Sequence, residues 1–286
     1  MDNRRRFIFR ASAAAFGGHI IRPKDIVLEA PGASALPVTG GRSVATIPRT
    51  RFDDYFSIES AKTFTEGLFE DRKQFLDFTN HQIEQDALLA ATQAIAEVNT
   101  MIVGRQPRLT IKHLRGELRA RSPLGSSLPA VRVGDLAVDG VDIDGHRLIV
   151  DLNPVPFQRF DTYAKLLVAA DDPAFVKDSG DSLYMRTARK GETAPPPAGR
   201  LIVDSYGTIY ATVVRSIRWD GAPFPGAEIE RNYVSIPDFG RIFFGELLIN
   251  TDYRRLTMVR MALGSDSGGS ASGSDVQDNG GWGWTP

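Results

Sequence analysis

Five aspartates crowd one short stretch of the chain: Asp135, Asp139, Asp142, Asp144 and Asp151. Hard cations such as calcium take several oxygen ligands, and closely spaced aspartates supply them. Set as a calcium loop, Asp142, Asp144, Gly145 and Asp151 fall on the third, fifth, sixth and twelfth positions. Gly140 then stands first, where a carboxylate belongs, and Arg147 stands where such loops carry an apolar residue. The plainer reading is two Asp-Gly turns with solvent-facing aspartates. Asp142, Asp144 and Asp151 are kept as candidate ligands, and no cofactor is expected.

A second chemistry is acid–base hydrolysis. Asp204 and Glu246 both lie on predicted strands, and a β scaffold can hold two carboxylates at the separation that glycoside cleavage requires. Inside strands such acids more often face solvent or pair with arginines such as Arg215 and Arg241. His146 beside a turn, and His113 in a basic run, are candidate bases, because histidine is the side chain suited to proton transfer near neutral pH. Neither has a visible partner motif. No Gly-x-Ser-x-Gly elbow, His-Glu-x-x-His pair, phosphate loop or dinucleotide fingerprint occurs in the chain.

Binding has its own candidates. Trp219, Tyr233, Phe239, Phe243 and Phe244 form either a core across strands or an exposed platform for sugars. Trp282 and Trp284 follow a Gly/Ser-rich stretch, as a docked end or a recognition end. The basic run Arg108, Lys112, His113, Arg115, Arg119 and Arg121 could meet phosphates. Glu117 interrupts it and few aromatics interleave, so nucleic acid is not the expected partner. A glycan or a protein surface is, and an oligomer is open.

The elements that must position these residues are mostly strands. Ile26–Leu28, 44–47 and 55–58 are β-rich runs cut by Gly and Pro. Asp139-Gly140 and Asp144-Gly145 suit type I′ hairpin turns, and Leu148, Val150 and Leu152 alternate with Ile149 and Asp151. Strand-like segments cover 201–204, 208–219, 233–236, 241–250 and 256–263. The similar runs Leu136-x-Val138-Asp139-Gly140 and Ile217-x-Trp219-Asp220-Gly221 hint at a duplicated unit. Leu88, Ala91, Ile95 and Val98 recur at helical spacing, so 85–98 is predicted as a helix, with a strand as the alternative. Tyr163, Leu166, Leu167 and Ala170 predict a helix capped by Asp161, and Asp172-Pro173 starts another. The expected fold is therefore mostly β, a sandwich or distorted barrel with one or two helical insertions. An α+β fold is the alternative.

Composition sets the outer bounds. The chain has 286 residues, 42% hydrophobic and 24% charged, with a formal net charge of -1. That is globular composition, and its charge favours neither nucleic acid nor acidic substrates. The absence of cysteine excludes disulfides, thiolate metal sites and cysteine nucleophiles. No apolar run is long enough for a membrane-spanning helix. Residues 1–18 read as a flexible basic terminus or as a twin-arginine-like export leader, on Arg4-Arg5-Arg6 and the small residues from Ala11. Residues 19–263 form the expected β-rich domain, with a possible boundary at 192–199. Residues 264–286 read as a flexible tail with an aromatic end.

Ile217-Arg218-Trp219-Asp220-Gly221, Ile236-Pro237-Asp238-Phe239-Gly240 and Leu256-Thr257-Met258-Val259 carry one resemblance. Over its last third the chain resembles the repeated β units of bacterial choice-of-anchor surface proteins. That implies an extracellular or surface-exposed setting and carries no catalytic residues. Together these readings make a non-enzymatic, envelope-associated or secreted binding or assembly domain the first expectation. A carbohydrate-active hydrolase and a cytoplasmic scaffold are the alternatives.

Overall fold

Three long strands explain most of the architecture: Phe56–Glu70, Leu89–Val103 and Leu109–Pro123, paired edge to edge and antiparallel. The computed structural model describes residues 6–21, 25–70, 89–123, 129–170, 202–203, 208–251, 253–264, 269–278 and 281–283. The three strands form the centre of a first sheet. Gly41–Ile47 lies at one edge, and His146–Leu152 and Val214–Asp220 complete the other side. A second antiparallel sheet is built on Gly240–Ile249, Arg254–Leu263, Gly269–Asp278 and Ala11–Ile20. The two sheets pack face to face over one apolar core, so the fold is the expected β-sandwich.

The helix predicted over 85–98 is instead a strand from Leu89 onward. Ala94, Ala96 and Val98 are buried, while Gln93, Ile95 and Glu97 are half-exposed. That period of two fits a strand with one face on a core, and neighbours on both sides supply the hydrogen bonds that outweigh alanine's helix preference. Residues 85–88 lie outside the described residues.

The two ends of the domain also differ from expectation. The stretch to Gly18, read as a leader or flexible terminus, enters the second sheet at Ala11, where Ala11, Ala13, Ala15 and Phe16 are buried. Its partner is Gly269–Asp278, part of the expected flexible tail, where Ser274 and Val276 are fully buried. Small residues suit both strands because the opposite sheet approaches them closely. Ser274 Oγ donates to the Ala96 carbonyl across the core at 2.8 Å. At Gly116, directly beneath, an added Cβ would lie 2.9 Å from Met258 Cγ and 3.0 Å from Ser274 Oγ.

Both sheets carry an aligned row of breaks. In the first, ladder pairing skips Glu59, Thr100, Lys112 and Gly140 on adjacent strands. Thr100 and Gly140 there have φ of 47° and 62°. In the second it skips Gly245, Met258, Ser274 and Ala15, with φ of 59° at Gly245 and 53° at Ser274. Buried positions change parity at each row, from Ile58 to Ala61, Val98 to Met101 and Ile111 to Leu114. Asp139-Gly140 is therefore no hairpin. Ala137–Asp139 and Val141–Ile143 run on along the same partner strand, and the broken row lets the chain pass Lys112. The predicted hairpin at Asp144-Gly145 does form, with positive φ at both residues. The suspected duplication is not a repeat. Ile217–Asp220 pairs with Arg147–Val150, whereas Ala137–Asp139 pairs with His113–Arg115.

The helical insertion is short: α1, Val155–Arg159, and α2, Tyr163–Ala170. Thr162, not Asp161, caps α2, its hydroxyl accepting from the Lys165 N–H at 3.3 Å. Asp161 is buried between Arg132 (3.2 Å) and Lys165 (2.8 Å). Arg254, wholly buried, donates to the Phe157 and Phe160 carbonyls at 3.3 and 2.9 Å and so fixes the end of α1. That burial lowers its pKa to about 10. The helix at Asp172-Pro173 and the boundary at 192–199 lie outside the described residues. Among the described residues, no helix is long and apolar enough to cross a membrane.

Candidate functional site

The outward face of the first sheet brings together more unsatisfied chemistry than any single sequence candidate. Strand register places its side chains in rows that cross four strands. Arg42, Glu66, Gln93 and Arg119 form one row, and Val44, Phe64, Ile95 and Glu117 the next. Thr46, Lys62, Glu97 and Arg115 form the third. An apolar stripe is thus flanked on both sides by charge. Two open grooves indent this face. One of about 240 Å³ is lined by Arg42, Lys62, Phe64, Ile95, Glu97 and Arg115. The other, about 190 Å³, dips over Ala91 between Leu68, Gln93, Arg119 and Arg121.

Glu117 organises the charges. Its side chain is 0% exposed. It accepts from Gln93 at 2.5 Å, from Arg119 Nε, from Arg115 at 3.4 Å and from the Asp135 N–H at 3.2 Å. Burial alone would raise its pKa, but the hydrogen bonds from Arg119 and Gln93 and the Arg119 charge outweigh that and hold it below the usual carboxylate range. Gly134 closes over the carboxylate, and an added Cβ there would lie 2.6 Å from Glu117 Cδ. Arg115 also reaches Glu97 at 3.3 Å, and Glu97 lies 3.1 Å from His113 Nε2. Asp139 is 3.4 Å from the other ring nitrogen of His113.

Two cations stand outside this network. The Arg42 guanidinium lies 4.7 Å over the Phe64 ring, a cation–π contact. Neither Arg42 nor Lys62 has a carboxylate partner among the described residues. The groove thus has an apolar floor and two rim cations that form no ion pair among the described residues, with Glu66 opposite Arg42 and Glu97 opposite Lys62 in the strand register.

The residues singled out from sequence lie elsewhere, apart from the basic run. Arg115, Arg119 and Arg121 do share the grooved face, with Glu117 as their buried anchor rather than an interruption. Asp142 accepts from the Gly145 N–H at 2.8 Å, Asp144 from the Arg108 N–H at 3.2 Å, and Asp151 from Ser216 Oγ at 2.7 Å. Each therefore fastens a turn or a strand. Among the described residues no three metal-ligating side chains are grouped to hold an ion.

Glu246 has both oxygens bound by Arg260 at 2.6 Å, and that guanidinium lies 3.9 Å over Phe243. Asp204 lies outside the described residues. His146 Nδ1 is 3.0 Å from the Ala222 carbonyl, with the ring edge-on to Phe224 and to Trp219, which packs on the core. Phe239, Phe243 and Phe244 are buried. Tyr233 tilts on Phe243 and donates to Glu230 at 2.5 Å. Partial burial, then that acidic acceptor, pushes its pKa up to about 12. Trp282 pairs through its backbone with Phe7, while its side chain and Trp284 lie outside the described residues.

Sequence reasoning missed Arg42, Lys62, Phe64, Glu66, Ile95 and Glu97. The signal was the period of two in 93–98, which the helical reading set aside.

No curated protein and no solved structure matches the chain. One family model, described as Domain of unknown function (DUF8256), matches residues 7–250, a span that contains the whole first sheet and both grooves. The chain belongs to the DUF8256 family.

Proposed function

We propose that the protein is a non-enzymatic docking domain whose grooved face takes an acidic, partly apolar segment of a protein partner. One observation carries the reading: Arg42 and Lys62, without carboxylate partners among the described residues, border the Phe64–Ile95 floor. Complementary charge steers such a partner and fixes its register, while apolar contact supplies affinity. A glycan fits less well, because the Arg42 guanidinium already occupies a face of Phe64, the aromatic ring of this groove. Proton-transfer chemistry also fits less well. Glu117 is held ionised by its donors and is a poor acid. An envelope or extracellular setting is part of the proposal, supported by the likeness of the last third to surface-protein β units.

Fluorescence anisotropy tests it with two peptides, one alternating Glu and Leu and one alternating Gln and Leu. The acidic peptide should bind more tightly, and its affinity should fall with salt. The double variant Arg42→Ala with Lys62→Ala should weaken it by roughly tenfold or more. Equal binding of both peptides, or of variant and parent, would sink the reading.

A further inference from the structure

The edge of the same sheet carries a second interaction surface. Among the described residues, Gly41–Ile47 is hydrogen-bonded on one side only, to Phe56–Glu70, in unbroken register from Gly41↔Gly67 to Ile47↔Ala61. An open edge is a template for another strand, and proteins usually blunt it with charge, proline, bulges or shortness. The other edges use those devices. Val214–Asp220 carries Arg215, Arg218 and Asp220, and its register shifts at Asp151/Leu152. In the second sheet the outer strands Ile26–Leu28, Ala33–Ala35, Ile202–Val203 and Glu228–Glu230 have two or three residues each. Gly41–Ile47 has seven residues, one charge and no internal proline. Val44, near its middle, is 48% exposed.

We infer that this edge pairs with the same edge of a second copy, antiparallel about a twofold axis at Val44. The sequence Arg42-Ser43-Val44-Ala45-Thr46 is self-complementary in that register. Val44 meets Val44 of the second copy, Ser43 meets Ala45, and Arg42 meets Thr46. The single charge is off centre, so the two guanidinium groups sit about 14 Å apart along the strands and do not repel at contact. Opposed β-branched residues stabilise such a pair. The first sheets of two copies become one continuous sheet, with their grooved faces on the same side. The pairing forms through the backbone of the edge strand and does not require the groove to be occupied.

Sedimentation velocity on the full chain across a wide concentration series tests it, and a reversible monomer–dimer equilibrium is expected. Val44→Lys opposes two ammonium groups at the axis. It should raise the dimer dissociation constant roughly tenfold without moving the thermal midpoint of the exposed site. Because the chain has no cysteine, Val44→Cys places one thiol on each copy, and the pair should join as a disulfide dimer under diamide. Arg42→Cys, with its two thiols far apart, should not. A monomer at every concentration with no Val44→Cys crosslink overturns the inference, and so does a dimer that Val44→Lys leaves intact.

Discussion

The two outer faces of the sandwich handle charge differently. On the second sheet two cations each fork onto one carboxylate, Arg260 onto Glu246 and Arg255 onto Asp275, while Arg241 lies over the Tyr233 ring. On the first, Arg115, Arg119 and Gln93 share the buried carboxylate of Glu117, Arg115 also reaches Glu97, and Arg42 and Lys62 form no ion pair among the described residues. One-to-one pairing neutralises a surface and leaves nothing for a ligand. Sharing leaves Arg42 and Lys62 outside any ion pair among the described residues, beside an apolar stripe. The contrast teaches that the count of arginines on a face says less about binding than how many carboxylates they divide.

The largest effect should come from removing the shared acceptor. Glu117→Ala strands two part-exposed guanidinium groups and the half-exposed Gln93 amide, and thermal unfolding should show a loss of about 3 kcal/mol. Glu246→Ala removes one partner from one pair and should cost about 2 kcal/mol. If the second loss equals or exceeds the first, the distinction between the faces fails.

Acid should act on the same asymmetry. The Glu117 carboxyl is held below its ordinary value, so its stabilisation is fully present above the usual carboxylate range and fades as pH falls through the lower folded value. Glu117→Gln should flatten the unfolding midpoint in that window. A variant as acid-sensitive as the parent would place the dependence elsewhere.

The smallest effect separates binding residues from structural ones. Arg255→Ala breaks a half-exposed pair and should cost about 0.5–1 kcal/mol. Lys62→Ala breaks no ion pair among the described residues and should change stability by less than about 0.5 kcal/mol while reducing acidic-peptide binding. A Lys62→Ala loss larger than that of Arg255→Ala would mean the lysine is structural.

The β-sandwich was legible because its alternating strands and its Asp144-Gly145 turn are local signals. The strand Leu89–Val103 was not, because alanine and glutamine favour a helix until neighbouring strands bond both edges. The site was illegible for the same reason. Arg42, Phe64, Ile95 and Arg115 are far apart in sequence and meet only through register, which no local pattern specifies. Arg115, Arg119 and Arg121 were visible as a run, but the burial of Glu117 between them depends on the Gly134–Asp135 loop arriving from elsewhere. The conspicuous aspartates drew notice because acids near glycines resemble a metal loop. Turns use the same acids to cap their own backbone N–H groups.

Ala11–Ile20 pairs with Gly269–Asp278, almost the full length of the chain away. During synthesis the first of these strands leaves the ribosome long before its partner exists. The first sheet, spanning 41–220, can be complete while the second still lacks an interior strand. Closing so distant a pair is slow, and the waiting strand offers its unpaired backbone to other nascent chains. Its run of alanines and glycines, with little side-chain bulk to attract such partners, keeps that interval safer than a valine-rich strand would.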